Sequence, residues 1–192
     1  MKKYILLFLL LGVTIQLSFG MSQDQQDVAY WGQKAFETYP REINDARTLL
    51  NAIDSLDVKN LEKIFKEHPT INVNARNRFG HSALNELTGH IVEETIKDPL
   101  PMAELLVKRG ADVNIQNAEK QTPLWGAILW AWRSGNNAYL KLLLDNGANP
   151  LLEDEEGRSP LDWAKTSTTA ENSTIKDKAI FELLDKAAEK FR

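Results

Sequence analysis

The sequence predicts an all-α solenoid of stacked helix-turn-helix units. Three observations lead there. The same stretch recurs three times, as V-N-A-R-N-R-F-G-H-S-A-L from Val73, V-N-I-Q-N-A-E-K-Q-T-P-L from Val113 and P-L-L-E-D-E-E-G-R-S-P-L from Pro150, at spacings of 40 and 37 residues. Each copy is followed by sequence of helical period and then by a second apolar helix, and two of those second helices finish in Gly110 and Gly147. Neither helix of a unit can bury its apolar face alone, so the units must stack.

Each element has a physical reason. A Ser or Thr (Ser82, Thr122 and Ser159) stands before each first helix, where its hydroxyl caps free backbone N–H groups. Pro123 and Pro160 occupy the first helical turn, where a missing N–H costs nothing. Among the second helices, Asp57 is the N-cap of DVKNLEKIF, and Val58, Leu61, Ile64 and Phe65 make one apolar stripe. MAELLVKRG from Met102, YLKLLLDNG from Tyr139 and AIFELLDKAA from Ala179 repeat the theme. Gly110 and Gly147 supply the left-handed residue that ends a helix and lets the chain turn.

Residues 1–20, MKKYILLFLLLGVTIQLSFG, have the anatomy of an export signal: a basic start at Lys2 and Lys3, an apolar run from Tyr4 to Val13, and the small residues Ser18 and Gly20. The expected organisation is therefore a signal peptide over 1–20, a capping segment over 21–45 and a repeat domain over 46–192, in a periplasmic or secreted protein. Two alternatives stand beside this one: an uncleaved anchor, against which Thr14, Gln16 and Ser18 shorten the run below the ~20 residues of a membrane span, and a start at Met21. No stable membrane span is expected after cleavage. The chain has no cysteine, so stability rests on packing rather than disulfides. Removing residues 1–20 takes away two lysines and no acid, which moves the net charge from −4 to −6 and argues against a nucleic-acid partner.

The combined motifs resemble the ankyrin repeat. D-E-E-G-R-S-P-L-D-W-A from Asp154 and K-L-L-L-D-N-G-A-N-P from Lys141 carry the likeness, with G-A-D-V-N from Gly110 and T-P-L-W-G-A from Thr122. The resemblance covers about four repeats from Ala46 to Arg192 and implies helix-turn-helix units joined by β-hairpin loops, in a protein that binds another protein. The chain departs from the pattern in places. Asn85, Trp125 and Asp162 stand where the family has histidine, and Lys120 stands where the hairpin glycine belongs, which Gly80 and Gly157 retain.

The family's variable hairpin tips map to Arg76, Arg78, Phe79 and His81, to Gln116, Ala118, Glu119 and Gln121, and to Glu153, Glu155, Glu156 and Arg158. These are the candidate protein-binding residues. Charge runs from basic to acidic along them, with Asp154 adding to the acidic end, and complementary charge would fix the register of a partner; an ordinary solvated surface is the competing reading. Trp125 and Trp132 lie seven residues apart on one helix face while Trp130 lies off it, and packing within the stack is favoured over an exposed patch. Tyr30, Trp31, Phe36 and Tyr39 belong to the expected N-terminal cap.

No catalytic, cofactor or metal site is expected. His68, His81 and His90 show no ligand spacing, and a zinc site would have to assemble from scattered histidines and acids. GHSAL from Gly80 lacks the second glycine of a nucleophile elbow, and the acids from Glu153 to Glu156 lack the alternating ligands of a calcium loop. The expectation is a non-enzymatic exported module, monomeric alone, that sequesters or neutralises a protein of unknown identity. A secreted effector that engages host proteins is the alternative.

Overall fold

The computed structural model describes residues 44–77, 80–93, 96–169 and 175–192. Their helices form four pairs: α1 (44–54) with α2 (Val58–Glu67), α3 (Ala83–Val92) with α4 (Leu100–Lys108), α5 (Pro123–Ser134) with α6 (Ala138–Asp145), and α7 (Pro160–Thr169) with α8 (Ile175–Ala188). The expected signal segment and the capping segment lie outside the described residues, apart from positions 44 and 45, which open α1. No described helix is long and apolar enough to cross a membrane.

The helices stack in two layers. First helices follow one another, α3 on α5 and α5 on α7, and second helices do the same through α2, α4, α6 and α8. One continuous core lies between the layers, from Leu49 and Ile53 through Leu87, Ile91, Met102 and Leu106 to Leu143, Ile180 and Leu184. The all-α solenoid expected from the repeats is thus the observed architecture.

The helix ends show why the pairs start where they do. The Asp57 side chain accepts from Lys59 N at the head of α2. Ser82 and Asn85 form a reciprocal capping box at α3, and Ser159 and Asp162 do the same at α7, with Ser159 N and Oγ both donating to Asp162 Oδ2. Thr122 corrects the expectation, because its hydroxyl makes no cap at α5. The third helical residue there is Trp125, whose backbone N–H donates to the Thr122 carbonyl in place of its hydroxyl, and whose indole can only donate and so cannot return a bond to the cap backbone. Both Thr122 Oγ1 and Trp125 Nε1 are left buried without a partner.

Gly110 and Gly147 take φ of 84° and 86° just beyond α4 and α6, the left-handed ends expected of them. Lys120 adopts φ of 57° where its counterparts are glycines, so this loop keeps the shared backbone geometry against the preference of an L side chain. The connections expected as β-hairpins close as tight turns, and among the described residues none belongs to a regular strand.

Candidate protein-interaction face

The loops that join the repeats are built on side chains that recur at fixed offsets. Asn77, Asn117 and Asp154 occupy one register and do one job. Each donates its backbone N–H to the carbonyl four residues on (His81, Gln121, Arg158), and each side-chain oxygen accepts the N–H of that same residue. The carbonyls of the three also accept from Gly80, Lys120 and Gly157. A turn closed three ways is held in one shape, which in the second and third loops fixes the direction in which the outward residues project.

A second register ties one loop to the next. Asn74 accepts from Asp112 N at 2.7 Å and donates to Gly110 O at 3.1 Å. Asn114 repeats this on the following repeat, with Asn149 N at 2.7 Å and Gly147 O at 3.0 Å. The amide group suits the task because it presents a donor and an acceptor side by side. A third register adds rungs nearer the tips: Arg76 Nη1 donates to Gln116 O, and Gln116 Nε2 donates to Glu153 O. Glu155 N donates to Glu119 O, and Asn85, in the place of the family histidine, donates to Ile115 O. The loops form a connected row.

The candidate binding residues divide along this row. Glu153, Glu155, Glu156 and Arg158 are exposed, as are Ala118 and Glu119. Arg76 is exposed, yet its guanidinium serves as a rung, as does the amide of the half-buried Gln116; Gln121 is half-buried too. The half-buried His81 turns its Nδ1 toward Glu86 Oε2 at 3.3 Å. Arg78 and Phe79 lie outside the described residues. Asp154 departs from its expected place on the acidic tip: its side chain is only 3% exposed and points into its own loop. Burial alone pushes this carboxyl up, but the backbone N–H groups of Arg158 and Glu156 and the Arg158 guanidinium hold it below its ordinary range. Arg158 also pairs with Glu156, which leaves Glu153 and Glu155 as the outward acids of this tip without an ion pair to it.

The tryptophans join the third repeat to the fourth. Trp125 is buried, and its ring centroid lies 4.9 Å from that of Trp163; Trp132 meets Trp163 edge-on at 4.5 Å. The shared face read from the sevenfold spacing is therefore turned on one neighbour. Trp130 is half-buried against the same core. Arg158 lies over Trp125 at 5.9 Å, a cation–π distance that links the acidic loop to this cluster.

One grouping runs against the sequence reading of the histidines. Glu86 and His90 are one helical turn apart on α3, and Asp54 from α1 joins them, each residue offering a ligand atom within 4.8 Å of the others. The four-residue spacing of Glu86 and His90 was visible in the sequence. The approach of Asp54 comes only from stacking.

Paired helices in two layers, with a row of clasped loops along one edge, define a helical repeat protein. The repeats are of one established kind, ankyrin repeats: the family model described as ankyrin repeats, in three copies, matches residues 89–176. Among curated proteins, ADP-ribosylation factor GTPase-activating protein AGD2 of Arabidopsis thaliana is 41% identical over 87 residues, which is 45% of this chain and 10% of that protein. The ankyrin repeat protein R664 of Acanthamoeba polyphaga mimivirus is 37% identical over 75 residues, 39% of this chain and 44% of that one. E3 ubiquitin-protein ligase Ufd4 of Drosophila melanogaster is 32% identical over 136 residues, 70% of this chain and 4% of the ligase. The chain thus spans less than half the length of each. Ankyrin repeats are protein–protein interaction modules.

Proposed function

We propose that the chain is a non-catalytic binding module, exported to the periplasm or beyond, that sequesters a protein partner by its fourth-repeat loop. The observation that supports this reading is the arrangement around Asp154. The one buried acid of the group fixes the turn, and Glu153, Glu155 and Glu156 stand exposed around it on a backbone already held in shape. A surface ordered before binding loses little entropy on association, so its charge is available to recognition. The fitting partner presents basic side chains at this end. The export reading draws on the basic and apolar pattern of residues 1–20.

A crosslinking capture from the envelope fraction, using the mature chain and its Glu153→Lys/Glu155→Lys/Glu156→Lys form, tests the proposal. A single stoichiometric protein is expected with the native form, and its association in low salt is expected to slow about tenfold or more on charge reversal. The same reversal at Glu62 and Glu104, exposed on second helices, is expected to leave capture unchanged. Equal capture by the tip-reversed form removes the acidic loop as the recognition site.

A further inference from the structure

We propose that Asp54, Glu86 and His90 form a binding site for a divalent transition-metal ion of the zinc class, spanning α1 and α3. The two α3 ligands are four residues apart and so share a helix face. Asp54 ends α1 and reaches the same point, with its Oδ1 3.2 Å from His90 Nε2. A tetrahedral zinc ion with bonds of about 2.0–2.2 Å sets its ligand atoms about 3.3–3.6 Å apart. The Asp54–His90 pair lies just below that separation at 3.2 Å, and because the ligand atoms all lie within 4.8 Å of one another, gathering them on one ion asks for movements of about 1 Å.

Two further observations favour a cation here over a plain ion pair. The cluster sets two carboxylates around one imidazole, an arrangement that a doubly charged ion balances. Glu86 is also oriented from outside the cluster, because His81 Nδ1 from the preceding loop lies 3.3 Å from its Oε2. Such outer hydrogen bonding to a ligating carboxylate is the usual support of a metal site. The imidazole selects a transition metal over magnesium or calcium, which take oxygen ligands. The His90 side chain is 14% exposed and that of Asp54 56%, so the site is walled on one side and open to solvent on the other. Three protein ligands leave a fourth position for water or for a side chain of a partner.

Untagged full-length chain titrated with zinc chloride in a calorimeter, and with cobalt(II) as a spectroscopic substitute, tests this. One equivalent is expected to bind, with cobalt giving the visible bands of a low-coordinate site. His90→Ala and Asp54→Asn are each expected to weaken zinc binding at least tenfold, His81→Ala about tenfold through loss of Glu86 orientation, and His68→Ala not at all. Asp54 is mostly exposed, so Asp54→Asn keeps the test valid if His90→Ala fails to fold. Bound zinc is also expected to raise the melting temperature of the native chain and not of Asp54→Asn. Absence of saturable binding, equal affinity in Asp54→Asn, or displacement of zinc by equimolar magnesium overturns the proposal.

Discussion

Replacing Gly126 with valine is expected to lower the stability of the repeat domain by about 3 kcal/mol, the overpacking penalty of a close helix contact. Gly126 is buried in α5 where that helix crosses α3, and a Cβ built there would lie 2.6 Å from Thr88 Oγ1, 2.8 Å from its Cγ2 and 2.9 Å from its Cβ. Rotating Thr88 moves the first two atoms and leaves the third, so the helices themselves would have to part. Even Gly126→Ala is expected to cost about 1 kcal/mol, opposite in sign to the gain that helix propensity alone assigns to alanine over glycine. Thr88 Oγ1 is buried without a partner, so Thr88→Ala removes two of the three clashing atoms and sacrifices no hydrogen bond. Chemical denaturation of the three variants and of the Gly126→Ala/Thr88→Ala pair reads this, with partial recovery in the double variant. A stabilised Gly126→Ala would mean that α3 and α5 do not approach in this way.

Asn114→Ala is expected to cost about 2 kcal/mol, since it removes two hydrogen bonds each worth about 1 kcal/mol and leaves Asn149 N and Gly147 O without the amide between them. Asn114→Asp keeps the acceptor and loses the donor, so about half that loss is expected. The location of the effect matters as much as its size. In a solenoid each repeat is stabilised by its neighbours, so faster amide exchange is expected in α7 and α8, with α2 and α4 little changed. Uniformly faster exchange along the chain would show that Asn114 does not act as a joint between two repeats.

The parts of this fold that were legible in the sequence are those set by local chemistry. Ser82 and Ser159 face partners three residues away, Asp57 caps the helix it precedes, and Gly110 and Gly147 stand at the turns their backbone freedom serves. What depended on the next repeat was not legible. Asn74 and Asn114 belonged to the recurrent stretch, but their partners lie 36 and 38 residues away for the first and 33 and 35 for the second. Asp154 looked like one acid among four because charge was read along the chain. Its register with Asn77 and Asn117, four residues into each copy, was the signal that it turns inward. The cap at Thr122 failed for a similar reason: the hydroxyl was visible, while the third helical position holds Trp125, which offers no reciprocal acceptor, gives its backbone N–H to the Thr122 carbonyl, and packs its ring on Trp163 of the next repeat.

The candidate interaction face shows the same division. Exposure of Glu153, Glu155 and Glu156 follows from their place on a turn, whereas the use of Arg76 and Gln116 as rungs follows from the distance between neighbouring loops. The charge gradient is accordingly uneven in its availability, with the acidic end projecting and the basic end partly engaged within the row.

The proposed function places recognition on this row of loops, chiefly at its acidic end. Hydrogen exchange of the chain alone and in complex with its captured partner tests that most directly. New protection is expected over residues 153–158, extending to 116–121, with α4 and α6 unchanged. Protection confined to the second-helix layer, with the loop amides exchanging as in the free chain, would contradict it.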